Sequence, residues 1–127
     1  MSRDASSLSA PRERPANRGP HASETEARDE LVRRLALAFH PQEVRLFVSR
    51  AEGHAQPDSD FDLVVVLDDD APEEQLEPDV IYRPLVGSGI GCDVIACRRE
   101  DFDAVLRDPA NPWSRAWQRA RVVHARG

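Results

Sequence analysis

Lysine is missing from this chain. All 17 basic residues are arginine, set against 23 acidic ones, for a net charge of −6. No basic cluster is interleaved with aromatics, so duplex nucleic acid is not the expected partner. Arginine suits two-point contacts with phosphate, but uniform arginine usage reads first as a coding bias. No apolar run approaches the roughly 20 residues that a membrane span needs. Met1 to Pro20 lack the apolar stretch of a secretory leader. Cysteine is scarce, with only Cys92 and Cys97. They sit five positions apart on one expected strand, face opposite sides and cannot pair. Unpaired thiols without a leader point to the reducing cytoplasm.

What is present is an ordinary globular composition. Hydrophobic residues make up 40% and charged residues 31%, and 127 residues give room for one core. Residues 1–22 hold three prolines and almost no large apolar side chain. They read as a disordered tail, leaving 23–127 as the domain. Ser23 and Glu26 form a capping-box pattern before a helix. Ala27, Leu31, Leu35 and Ala38 recur at helical spacing, widened by Val32 and Phe39. His40-Pro41 should end that helix, because the residue before proline avoids helical backbone.

Val44 to Val48 reads as a strand, Ser49 to Gly53 as a turn or helical start, and His54 to Ser59 as a polar loop. Phe61 to Leu67 is too uniformly apolar for an exposed strand and should be central. Pro72, Pro78 and Pro84 break up the next stretch. A short helix over Asp79 to Val86, kinked at Pro84, is expected there. Cys92 to Cys97 reads as a third strand, Glu100 to Leu106 and Pro112 to Ala120 as helices, and Arg121 to Ala125 as a closing strand. The order implies an α/β or α+β domain with a small sheet covered by helices.

The chemistry is concentrated in one stretch. Ser49 ends a strand at a turn whose backbone N–H groups can receive phosphate oxygens. Ten residues separate it from Asp60 and Asp62, which open the central strand. Residues i and i+2 lie on one face of a strand, about 6.5–7 Å apart. Two carboxylates so placed can share hard cations; Mg²⁺ takes one or two carboxylates together with water and phosphate oxygens. Asp93 sits in the apolar run Cys92 to Ala96, where a charge is costly unless paired, coordinated or at a wet end. If its strand neighbours that of Asp62, it completes a three-carboxylate cluster suited to two-ion phosphoryl or nucleotidyl transfer.

This segment resembles the signature of the minimal nucleotidyltransferases, within the DNA polymerase beta-like nucleotidyltransferase superfamily. That signature runs Gly-Ser, ten residues, Asp-x-Asp, then a later Asp on another strand. Here it reads Val48-Ser49, Asp60-Phe61-Asp62 and Asp93. The flanks Leu46-Phe47, Arg50 to Gly53 and Ser59 are also similar, as is the end, Arg121 to Ala125, after a helix.

The resemblance implies a small mixed sheet flanked by helices. It implies an enzyme that transfers AMP, or another nucleoside monophosphate, from ATP or another nucleoside triphosphate to a hydroxyl. Asp60, Asp62 and Asp93 would hold two Mg²⁺ (or Mn²⁺) ions. Asp93 would also help activate the acceptor, Ser49 and Arg50 would hold the phosphates, and Ser59 would sit beside the first aspartate. Such stand-alone domains resemble antitoxins paired with a HEPN-type toxin, so a HEPN-like partner or a homodimer is expected. Others resemble the catalytic half of antibiotic nucleotidyltransferases.

Val48 departs from the pattern, which has glycine there. Glycine lets phosphate approach the backbone, whereas valine is branched and stiff. The alternative function is therefore a weakened or inactive module that works by docking a protein. Other features read as ordinary structure. Asp68, Asp69 and Asp70 read as a solvated strand end, and His54 as a solvated loop residue. Trp113 and Trp117, one helical turn apart, read as core rather than as a platform for a base.

Overall fold

The computed structural model describes residues 21–47 and 61–126 of the chain. The expected tail over 1–22 therefore falls almost wholly outside the described residues. Helix α1 spans Glu24–Phe39 and leads into strand β1, Glu43–Leu46. Strand β2, Phe61–Leu67, is followed by short 3-10 turns at Glu73–Leu76 and Arg83–Leu85 on either side of helix α2, Pro78–Tyr82. Strand β3, Cys92–Arg98, runs into helix α3, Arg99–Arg107. Helix α4, Ser114–Gln118, and strand β4, Arg121–Ala125, complete the fold.

The four strands lie in the order β3-β2-β1-β4. β1 is antiparallel to both β2 and β4, while β2 and β3 are parallel. The sheet is therefore mixed, as expected. Parallel neighbours need a crossover, and the chain from 68 to 91 supplies it. β2 is an inner strand buried on both sides, which explains its unbroken apolar run. Phe61, Leu63, Val65 and Leu67 pack toward α1 and α2. Val64 and Val66 pack toward α3 and α4, against Phe47, Phe102 and Trp117. The result is two cores separated by one sheet.

Local chemistry accounts for the element ends. The Ser23 hydroxyl accepts the Glu26 N–H at 3.1 Å, and the Glu26 carboxylate accepts the Ala22 N–H at 3.1 Å. This is close to the expected box, worth about 1 kcal/mol. Ala27, Leu31, Val32 and Leu35 are buried, but Ala38 is exposed. Phe39, the last residue of the helix, still packs against the core, so only Ala38 falls off the expected stripe. His40 does terminate α1, in the left-handed region (φ 49°) rather than in extended backbone. Its N–H closes on the Ala36 carbonyl at 3.0 Å.

The expected helix over Asp79 to Val86 splits into α2 and a 3-10 turn. Pro84 lacks an N–H to continue the α ladder and enters the tighter turn instead. Tyr82 protects an edge of the sheet, since its hydroxyl accepts the Val94 N–H at 2.7 Å. The expected helix over Pro112 to Ala120 narrows to Ser114–Gln118. Asn111 and Pro112 fold instead as a turn, in which Asn111 Oδ1 accepts the Trp113 N–H at 2.8 Å.

Two of the three aspartates after β2, Asp68 and Asp69, are structural rather than merely solvated. Asp68 takes the guanidinium of Arg126 and the amide of Gln42. Asp69, in the turn after β2, accepts the Glu100 N–H at 2.8 Å in the first turn of α3. The two thiols face opposite cores, as expected: Cys97 is buried among α3 and α4 residues, and Cys92 packs against the α1 core. Among the described residues, no helix is long and apolar enough to cross a membrane.

Candidate functional site

Strand alternation decides where the acidic residues point. Asp62 shares its face with Val64 and Val66, and Asp93 shares its face with Ile95 and Cys97. Both faces are the α3/α4 side of the sheet. The parallel register pairs Asp62 with Asp93 directly. The condition set by the sequence, that the two strands be neighbours, is therefore met. Adjacent strands stand about 4.8 Å apart, so the two carboxylates leave the sheet side by side. Asp62 is half-buried and Asp93 exposed, at the wet end of each strand.

The backbone around the pair is pinned. The Phe47 N–H donates to the Asp62 carbonyl at 3.0 Å, and the Phe61 N–H donates to the Gly91 carbonyl at 3.1 Å. The C-terminus of β1 and the N-termini of β2 and β3 thus meet at one end of the sheet. The β1–β2 register, Leu46 against Leu63, extends to place Phe47 across from Asp62. Asp93, Asp62 and Phe47 form a row across three strands. Like charges standing this close repel, and a divalent cation between them relieves that repulsion. A half-buried and an exposed carboxylate side by side are a donor set that fits Mg²⁺ or Mn²⁺.

Ser49, Arg50, Ser59 and Asp60 lie outside the described residues, as does Val48. Of the sequence-derived site residues, those described are Asp62 and Asp93, and these come together. Among the described residues, no group of three or more His, Cys, Asp or Glu is arranged to hold a metal ion. The segment 48–60 leaves from Phe47 and returns at Phe61, both at this end of the sheet.

A cleft of about 240 Å³, with no signature in the local sequence, lies at the same end on the α1 face. Glu24, Thr25, Arg28, Leu46, Phe61 and Arg121 line it. No local spacing relates Arg28 to Arg121, because only the sheet order brings the start of β4 beside α1. Trp113 also differs from expectation. Trp117 is core at 4% exposure, whereas Trp113 is 45% exposed.

The comparisons with known proteins agree with this layout. A search of curated proteins finds no match. Among solved structures, the chain is similar to a Sulfolobus solfataricus protein provisionally described as a nucleotidyltransferase. The TM-score is 0.55 and the identity 22%, over 78% of each chain. At that identity the likeness speaks for the fold. The family model for the nucleotidyltransferase domain matches residues 25–109, which include the Asp62–Asp93 pair and every element from α1 to α3. The chain belongs to the nucleotidyltransferase domain family.

Proposed function

We propose that the protein is a metal-dependent nucleotidyltransferase. It moves AMP, or another nucleoside monophosphate, from a nucleoside triphosphate to an acceptor hydroxyl. The observation that carries this reading is the in-register pairing of Asp62 with Asp93 inside the segment matched by the family. In the reaction, the acceptor oxygen bonds to the α-phosphorus, the bond from that phosphorus to the bridging oxygen breaks, and pyrophosphate leaves. The acceptor proton passes to a carboxylate, for which Asp93, the exposed member of the pair, is placed best.

Mg²⁺ held by Asp60, Asp62 and Asp93 would supply charge neutralisation at the phosphates. Ser49, Arg50 and the turn around them are assigned to the β- and γ-phosphates, with Ser59 beside Asp60. The proposed acceptor is a hydroxyl on a second protein, a HEPN-type partner or another copy of this chain. One domain of this size leaves little surface to recognise an acceptor unaided. The setting proposed is the cytoplasm.

A second reading follows from Val48. With valine in place of glycine, triphosphate binding is weakened and the domain works by docking a protein. Calorimetric titration of ATP with Mg²⁺ or Mn²⁺ separates the two readings. The first expects ATP binding that depends on the divalent ion, and expects AMP transfer. It also expects Asp62→Asn and Asp93→Asn each to lose divalent-ion binding while remaining folded. A folded variant that binds Mn²⁺ as wild type does would remove that residue from the site.

A further inference from the structure

We propose that the exposed face of Trp113 is the platform on which the nucleobase of the bound nucleotide stacks. This deepens the nucleotidyltransferase reading and rests on it. The row Asp93, Asp62, Phe47 gives the site a direction across the sheet. At its acidic end sit the carboxylates, suited to a cation and phosphates. At its other end the Phe47 ring meets Trp113 edge-on, with ring centroids 5.9 Å apart and planes at 83°. Asp62 and Phe47 are cross-strand neighbours about 5 Å apart. The indole is thus reached from Asp62 through Phe47, on the same face of the sheet.

The indole is also held in place. A T-shaped contact with Phe47 and a tilted contact with Trp117 at 6.3 Å support the ring. Its backbone N–H is fixed by Asn111 Oδ1. A large aromatic left 45% exposed beside a buried partner one turn away is not needed to close the core. The chemistry matches the part of a nucleotide that the acidic end cannot hold. The base is flat and uncharged, and stacking on an indole binds it without a cation. Stacking also tolerates different bases, so this platform favours purines by area rather than by hydrogen-bond pattern.

The test compares ATP with inorganic tripolyphosphate, which carries the charge but no base. Both are titrated in the presence of Mg²⁺ into wild type, Trp113→Ala and Trp113→Phe. Wild type is expected to bind ATP about tenfold or more tighter than tripolyphosphate. Trp113→Ala should lose most of that advantage while binding tripolyphosphate as wild type does, and Trp113→Phe should keep most of it. The platform is overturned if wild type binds both ligands equally, or if Trp113→Ala weakens both by the same factor. Either result leaves the phosphate and metal site standing. Failure of wild type to bind either ligand overturns the platform and the nucleotidyltransferase reading together.

Discussion

Asp68, the residue after β2, receives both terminal nitrogens of the Arg126 guanidinium, at 2.8 and 3.1 Å. The same guanidinium reaches the His40 carbonyl at 3.0 Å, and the Arg126 N–H reaches the Gln42 carbonyl at 2.9 Å. Three chain segments, the end of α1, the end of β2 and the end of β4, are thus tied by one arginine.

The tie has a pH signature. Hydrogen bonds from Arg126, then from Gln42, lower the Asp68 carboxyl to a pKa of about 2. A group depressed in the folded state contributes stability above its unfolded pKa and loses it as pH falls toward the folded value. The contribution of Asp68 should therefore be full at neutral pH and disappear between about pH 4 and pH 2. Melting Asp68→Asn beside wild type checks this. The gap between their melting temperatures should be constant above pH 5 and close in that window. A gap unchanged down to pH 2 would mean that the ion pair contributes nothing.

The α3/α4 core should be sensitive to Phe102. Its ring is fully buried and stacks on Trp117, with centroids 5.3 Å apart and planes at 16°. Arg45 and Arg99 lie over the ring at 4.9 and 5.6 Å. Phe102→Ala should destabilise the fold by about 3–5 kcal/mol in a denaturant melt. Trp117→Phe should cost less. The indole Nε1 is buried without a partner among the described residues, so removing it also removes an unsatisfied donor.

The two thiols should react at different rates. Burial, reinforced by the Asp101 charge, pushes the Cys97 thiol up to about 12, so it holds almost no thiolate at pH 8. Cys92 is only partly buried. Alkylation of the native protein at pH 8, followed by peptide mass mapping, should label Cys92 well ahead of Cys97. Unfolding should bring the two rates together.

Val48→Gly should raise ATP affinity or transfer rate. Val44 and Leu46 are buried toward α1, while Val48 lies outside the described residues. On the strand alternation expected from the sequence, losing the side chain should cost about 1–3 kcal/mol of stability. ATP titrations with melts alongside decide it. Unchanged or weaker ATP binding in a folded variant would show that this position does not limit the site.

The sequence was most legible where one local rule governs. The Ser23 cap, the buried run of β2 and the strand at Cys92 follow from capping and periodicity alone. Asp62 and Asp93 stood out because a charge next to an apolar strand needs a reason. Their pairing was conditional, since it depends on which strands are neighbours, and no local pattern states that. Asp68 and Asp69 looked like solvated ends because their partners, Arg126 and the Glu100 N–H, are 58 and 31 residues away. Trp113 looked like core because helical spacing put it with Trp117. The Asn111 turn delays the start of α4 by two residues and leaves that ring outside.

The direction of β1 has a practical consequence. α1 begins beside Leu46 and Phe61, at the end of the sheet that carries Asp62 and Asp93, whereas Arg126 is fastened beside Asp68 at the other. α1 starts at the aspartate end of the sheet, on the face opposite Asp62 and Asp93, and β4 ends at the far end. A surface anchor or reporter joined after β4 would hold the molecule with its carboxylates facing outward. The same attachment placed just ahead of α1 would stand at the aspartate end, across the sheet from the carboxylates.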